Sequence, residues 1–222
     1  MTLLRHPFTA VMAGPSQSGK STLLLNMLRD QKRAFGTTFP QITVCFSRQQ
    51  DLYKEMASVV ETPIKFIHGL PEDLRPPTGS LLILDDLMNF SKATDRTIES
   101  FFIKNSHHYS VSVVYLIQNI FYQSPSSRTI SLNTNFIILF SNPRDQRQMK
   151  VLASQFVPDN TAFFMSAYAQ ACAKPFGYIV LDFRQSTPRE LRVRASVFPD
   201  ADVFVDLKDS YLFDLSTLTR LA

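Results

Sequence analysis

The sequence predicts an α/β domain with a mostly parallel central sheet covered by helices on both faces. Two observations carry this. Short runs such as "LLILDDL" (81–87) and "VSVVYLIQ" (111–118) are apolar at nearly every position, and segments with helical apolar spacing separate them. A strand without polar alternation is buried on both sides, as strands inside parallel sheets are. Strands alternating with helices supply the crossovers that cover such a sheet. At 222 residues the chain is most simply one domain. With 45% hydrophobic and 19% charged residues it has the composition of a globular protein able to bury a core.

Taken in order, "PFTAVMAG" (7–14) reads as a buried strand running into a glycine-rich loop. "KSTLLLNMLRDQ" (20–31) is a helix, with Leu24, Leu25 and Leu28 on one face. "QITVCFS" is the second strand, "RQQDLYKEMASVV" the second helix and "PIKFIH" the third strand. "GLPEDLRPPTGS" is a Pro/Gly loop. "LLILDDL" is a central strand ending in two carboxylates, "TDRTIESFFIKNSHH" a helix and "VSVVYLIQ" another buried strand. "SSRTISLNT" is a turn or short helix before the strand "FIILF". "NPRDQRQMKVLASQF" is expected to begin a helix at its first residues, with Asn142 as N-cap, Pro143 in the first turn and Asp145 near the positive end. A helix over "TAFFMSAYAQACA" then leads to "FGYIVLDF" and "ELRVRASVF", a closing strand pair. Alternation in the last segment would put Arg192 and Arg194 on one strand face, a solvated face or a set of phosphate donors to which Arg147 and Lys150 add.

"GPSQSGKS" (14–21) has the spacing of a phosphate-cradling loop: glycine, four residues, Gly-Lys and a hydroxyl. Gly14 and Gly19 let backbone N–H groups turn inward on phosphate oxygens. Lys20 brings a point charge to the β and γ phosphates, and Ser21 a hydroxyl for Mg²⁺. The nucleotide-binding segment is therefore Gly14, Pro15, Ser16, Gln17, Ser18, Gly19, Lys20, Ser21 and Thr22, at the positive end of a helix. At the end of "LLILDDL", Asp85 is placed to hold the metal with Ser21, and Asp86 is the candidate general base or water-positioning group. An aspartate reaches less far than the glutamate usual at that second position. Gln118, at the end of the next apolar strand, is a candidate to orient water or sense the γ phosphate, because an amide cannot remove a proton at neutral pH. Arg128, and less directly Arg144 and Arg147, are candidates to stabilise transition-state charge, in this subunit or a neighbour. The plain alternative for each is a solvated surface arginine. His107 and His108 read as a helix-terminal pair favouring the dipole.

In this order, "GPSQSGKST", "LLILDDLM", "NSHHYSVSVVYLIQN", "RTISLNTNFIILFSNPRDQRQMKVLASQ" and "KPFGYIVLDF" resemble the FtsK–HerA-type genome-packaging ATPases of double-stranded DNA viruses. The nearest flavour is that of Polinton-like and adintovirus-like elements, with poxvirus packaging ATPases more distant. The resemblance spans roughly residues 8 to 199. It implies a RecA-like P-loop fold, with residues 1–199 as the motor and 200–222 as a C-terminal extension. It also implies a ring of subunits, often hexameric, that hydrolyses ATP with Mg²⁺ to drive duplex DNA into a capsid. Carried over by position, Lys20 and Ser21 contact phosphate and Mg²⁺, Asp85 and Asp86 form the acidic pair, Gln118 is the sensor and Arg128 lies in the arginine turn. Expected partners are double-stranded DNA, other copies of the chain and a capsid or portal-vertex protein. The expected place is inside the cell where virions assemble, the host nucleus or a virus factory, and the virion itself. Because the loop comes so early, the sequence is expected to be a bare motor, without the N-terminal barrel or membrane domain of cellular pumps.

Other P-loop classes fit less well. No Asn-Lys-x-Asp guanine reader and no serine-glycine signature of transporter ATPases occurs. A viral replicative helicase or another P-loop DNA-dependent ATPase is the alternative, and a scaffold with little turnover is a further one. The net charge of +4 is compatible with a polyanionic partner without requiring one. Cys45 and Cys172 lack metal-ligand spacing and read as reduced packing residues of an intracellular protein. No apolar run approaches the ~20 residues of a membrane span.

Overall fold

The computed structural model describes residues 4–87, 91–105, 110–120, 126–144, 146–199 and 203–204. Its elements follow the expected alternation. Strand β1 (Thr9–Ala13) leads through the glycine loop to α1 (Lys20–Arg29). A short α2 (Gln31–Phe35), β2 (Ile42–Phe46), α3 (Leu52–Val59) and β3 (Ile64–His68) come next. Strand β4 (Leu81–Asp85) precedes α4 (Lys92–Ser100), which runs on as a π-helical turn over Phe101–Asn105. Then come β5 (Ser112–Ile117), α5 (Ser127–Leu132), β6 (Phe136–Phe140), α6 (Gln146–Phe156) and α7 (Thr161–Ala171). The antiparallel β7 (Tyr178–Asp182) and the two-residue β8 (Val193–Arg194) close the sheet.

These strands form one eight-stranded sheet in the order β3-β2-β4-β5-β1-β6-β7-β8. The strands from β3 to β6 in that order are mutually parallel. β7 pairs antiparallel with β6, and β8 antiparallel with β7, so among the described strands β7 is the one that runs against the others. The sheet is therefore mostly parallel, and its inner strands β1, β2, β4, β5 and β6 are buried at every position, which is why they read as uninterrupted apolar runs.

Alternation along each strand divides the core into two halves. Met12, Val44, Ile83, Leu116 and Phe140 face Leu24, Leu28, Phe35 and Met56 of α1, α2 and α3. Val11, Leu84, Tyr115, Ile117 and Leu139 face Ile98 of α4, Met149 and Leu152 of α6, and Phe164 of α7. Helices thus cover both faces, as the periodicity predicts. Cys45 is buried within the second half, and Cys172 is part-buried beside it; both are free thiols. Burial pushes the Cys45 thiol up to about 12, consistent with a packing role.

Two expectations need correction. The helix assigned to "NPRDQRQMKVLASQF" begins at Gln146, three residues later than expected. Asn142 Oδ1 instead accepts from Arg144 N at 3.2 Å, closing a local turn before the helix. An Asx side chain satisfies such a turn as readily as a helix start. Asp145 lies outside the described residues, as do His107 and His108. The second correction concerns "ELRVRASVF". Arg192 lies before β8, at the end of a single 3₁₀ turn (Arg189–Leu191), so it shares no strand face with Arg194. Arg192 Nε donates to Thr187 O at 3.1 Å and Arg194 Nε to Leu191 O at 3.0 Å, so both guanidiniums bind local carbonyls. Of the expected extension 200–222, Val203 and Phe204 are described: Val203 bridges Arg194, and Phe204 N donates to Val193 O at 2.9 Å. Among the described residues no helix is long and apolar enough to cross a membrane.

Candidate functional site

Parallel strands end together. In register, Ala13 of β1 pairs with Ile117 of β5, and Leu116 of β5 with Asp85 of β4. The strand ends therefore deliver their next residues to one edge: the glycine loop beyond β1, Asp86 beyond β4 and Gln118 beyond β5. This is the carboxyl edge at which open α/β sheets bind ligands. β5 lies between β1 and β4, so Gln118 stands between the loop and the carboxylates.

The loop is shaped for an anion. A side chain at Gly14 would meet Phe140 Cβ at 2.7 Å and Ser18 Oγ at 2.8 Å, so only glycine fits there. Gly14 N is anchored to Ile117 O at 3.2 Å, which ties the loop to β5. Gln17 at φ 64 and Gly19 at φ 99 turn the backbone into α1, whose first hydrogen bond runs from Leu23 N to Gly19 O at 2.8 Å. Lys20 Nζ lies over the loop, donating to Gly14 O at 2.6 Å and Pro15 O at 2.9 Å. Burial lowers its amine below the ordinary lysine range, while the fields of Asp85 and Asp86 pull it back up. Ser18 Oγ is buried with no hydrogen-bond partner, a hydroxyl that a phosphate oxygen would satisfy. Cradle, charge and orphan hydroxyl fit a bound phosphate chain.

The carboxylates differ in their surroundings. Asp85 is 6% exposed and accepts from Tyr53 Oη at 2.6 Å and Gln50 Nε2 at 3.1 Å, both on the same Oδ2. Burial raises its pKa above the ordinary carboxylate value; Asp86 adds to the rise, while Tyr53, Lys20 and Gln50 act against it. The other oxygen, Oδ1, is left to a metal or its water. Asp86 takes a left-handed φ of 52, uncommon outside glycine, and its N–H holds Leu116 O at 3.1 Å. That turn breaks the strand direction and carries the carboxylate toward Gln118. Gln118 Nε2 then donates to Asp86 Oδ1 at 3.2 Å and Oδ2 at 3.1 Å.

Lys20, Asp85, Asp86 and Gln118 thus gather at one sheet edge. Ser21 and Thr22 open α1 beside them. Arg128 is the second residue of α5, and Ser127 before it lines a cavity with Ile117 and Asn119 at the end of β5. Arg128 itself is exposed, and the far end of α5 binds Thr9, the first residue of β1: Thr9 Oγ1 donates to Asn133 O at 2.7 Å. Arg144 and Arg147 are also exposed. Among the described residues no group of three or more His, Cys, Asp or Glu side chains is placed to hold a metal. One hydroxyl and one carboxylate suit Mg²⁺, which keeps several waters and binds the substrate's phosphates. Sequence reasoning missed Gln50 and Tyr53. Tyr53 sits at an ordinary core position of α3, and its hydroxyl marks it only once β4 is known to lie beside β2.

Fold and site together define a P-loop NTPase architecture. No family model matches the chain, and no curated protein matches it. Among solved structures it is similar to the genome packaging NTPase B204 from Sulfolobus turreted icosahedral virus 2 in complex with AMP, with TM-score 0.50 and 14% identity over 82% of this chain and 95% of that one. The same NTPase in complex with ATP-gammaS gives TM-score 0.48 at 14% identity, over 82% and 94% of the two chains. Thermomonospora curvata EccC (ATPases 2 and 3), in complex with a signal sequence peptide, gives TM-score 0.42 at 15% identity over 63% of this chain and 31% of that one. At these identities the likeness to B204 is one of fold.

Proposed function

We propose that this chain is a Mg²⁺-dependent ATPase of the FtsK–HerA type, acting as a ring that translocates double-stranded DNA and packages a viral genome into its capsid. The observation that carries the ATPase reading is the convergence of Lys20, Asp85, Asp86 and Gln118 at the edge that bears the glycine loop. The order of sequence motifs, from the loop through the Gln-bearing strand to the arginine turn, supports the packaging reading.

In this reading Lys20 exchanges the Gly14 and Pro15 carbonyls for the β and γ phosphates. Ser21 and Asp85 would hold Mg²⁺, which when bound neutralises charge developing on the phosphates. Gln118 fixes the Asp86 carboxylate through its amide N–H groups. Asp86 then orients the attacking water and accepts its proton as the water oxygen bonds to the γ phosphorus and ADP departs.

The test is turnover with single substitutions. Lys20→Ala is expected to abolish hydrolysis and weaken ATP binding. Asp86→Asn should retain ATP while hydrolysing at least about 100-fold more slowly, the scale of general-base catalysis. Normal turnover by Asp86→Asn would remove Asp86 from the mechanism. Translocation along a whole genome requires grip on phosphates without base reading, so duplex affinity should fall steeply with salt and vary little with sequence. Preference for single strands would favour the replicative helicase, and indifference to DNA would exclude both motors.

A further inference from the structure

Phe176 is an anomaly beside the glycine loop. It is 67% exposed, and its φ of 61 lies in the left-handed region, where a bulky aromatic is an outlier. Its position is tightly enforced. A Cβ on the next residue, Gly177, would come within 2.5 Å of Ala171 O and 2.8 Å of Cys172 Cα. Gly177 N donates to Lys174 O at 3.0 Å, and its carbonyl accepts from Ser141 N at 3.2 Å, tying the turn to the end of β6. α7, which leads into the turn, is pinned to that same end by Tyr168 Oη donating to Phe140 O at 3.2 Å. The turn delivers the ring onto Gly19, where a built Cβ would lie 3.1 Å from Phe176 Cβ and 3.3 Å from its Cδ1. Strained, solvent-facing side chains that the surroundings over-determine cluster at ligand clamps.

The sheet order says which end of a nucleotide would arrive there. Along the edge the order is β4, β5, β1, β6, β7. The γ-phosphate chemistry of Asp85, Asp86 and Gln118 lies on the β4–β5 side of the loop. A triphosphate running through the loop must therefore leave with its nucleoside on the β6–β7 side, where Phe176 stands. We propose that Phe176 is the stacking platform for the nucleobase, an inference that rests on reading the loop as a nucleoside triphosphate site. Dispersion with an aromatic face grows with ring area and carries no hydrogen-bond code. The platform therefore favours purines over pyrimidines without separating adenine from guanine.

The chain contains no tryptophan, so Phe176→Trp places a single indole at the platform. Titration of this variant with ATP, GTP, CTP and inorganic tripolyphosphate reads stacking directly. Emission should be quenched strongly by ATP and GTP, less by CTP and not by tripolyphosphate. In parallel, calorimetry on Phe176→Ala should show ATP affinity reduced on the order of ten-fold with tripolyphosphate affinity unchanged. Equal loss for both ligands would make Phe176 a prop for the loop and overturn the proposal, as would unchanged ATP affinity or emission insensitive to saturating ATP. A wild-type chain that binds neither ATP nor tripolyphosphate would instead overturn the phosphate-loop reading itself.

Discussion

Asp85 and Asp86 are neighbours with opposite environments, and the difference predicts how each responds to substitution. Burial raises the pKa of Asp85, so the folded chain keeps its proton at a pH where the unfolded chain has lost it. Its contribution to stability is present below the ordinary carboxylate range and is lost as pH rises through the raised value. Asp85→Asn carries no such loss and can still accept from Tyr53. It should melt higher than wild type at neutral pH, by about 2–4 °C for each kcal/mol gained in a chain of this size. The gain should vanish in acid, while ATP hydrolysis is lost at every pH. Equal or lower melting at neutral pH would refute this account of the buried carboxylate. Asp85, Asp86 and Gln118 were legible in the sequence because strand ends announce themselves as polar residues after apolar runs. Tyr53 and Gln50 were not, since their contacts to Asp85 cross from α3 and the turn before it to another strand.

Helix starts were less legible than helices. Asn142 and Asn160 both precede helical segments, yet only Asn160 caps one: its Oδ1 accepts from Phe163 N at 3.1 Å in the first turn of α7. Sequence cues such as Asn-Pro suit a turn as well as a cap, and only the backbone decides. The consequence is measurable. Asn160→Ala should cost about 1 kcal/mol, the usual worth of a cap, and lower the melting temperature by about 2–4 °C. Asn142→Ala, which loses one bond in a part-exposed turn, should change it by less than half as much. The reverse order in thermal melts would restore Asn142 as the cap that matters. The short β8 escaped the sequence for a similar reason: Arg192 and Arg194 alternate with apolar residues as a strand would, but local carbonyls hold their guanidiniums.

The α/β class was readable from periodicity, whereas the neighbour order of the strands was not. Nothing local in "VSVVYLIQ" says that it will insert between the loop strand and the acidic strand, because its pairing with the loop strand joins residues far apart in the chain. Arg128 lies at the start of α5, exposed, and the helix then runs toward the amino end of β1. In the proposed ring we expect this exposed arginine to act at a neighbour's γ phosphate. Arg128→Ala and Lys20→Ala subunits should then each be inactive alone and regain part of the ATPase activity when mixed. A Lys20→Ala subunit still lends its arginine, and an Arg128→Ala subunit still lends its loop. Recovery should peak at intermediate ratios and disappear when both substitutions sit in the same chain. Fully active Arg128→Ala alone would remove the residue from catalysis, and no recovery at any ratio would rule out its action in trans.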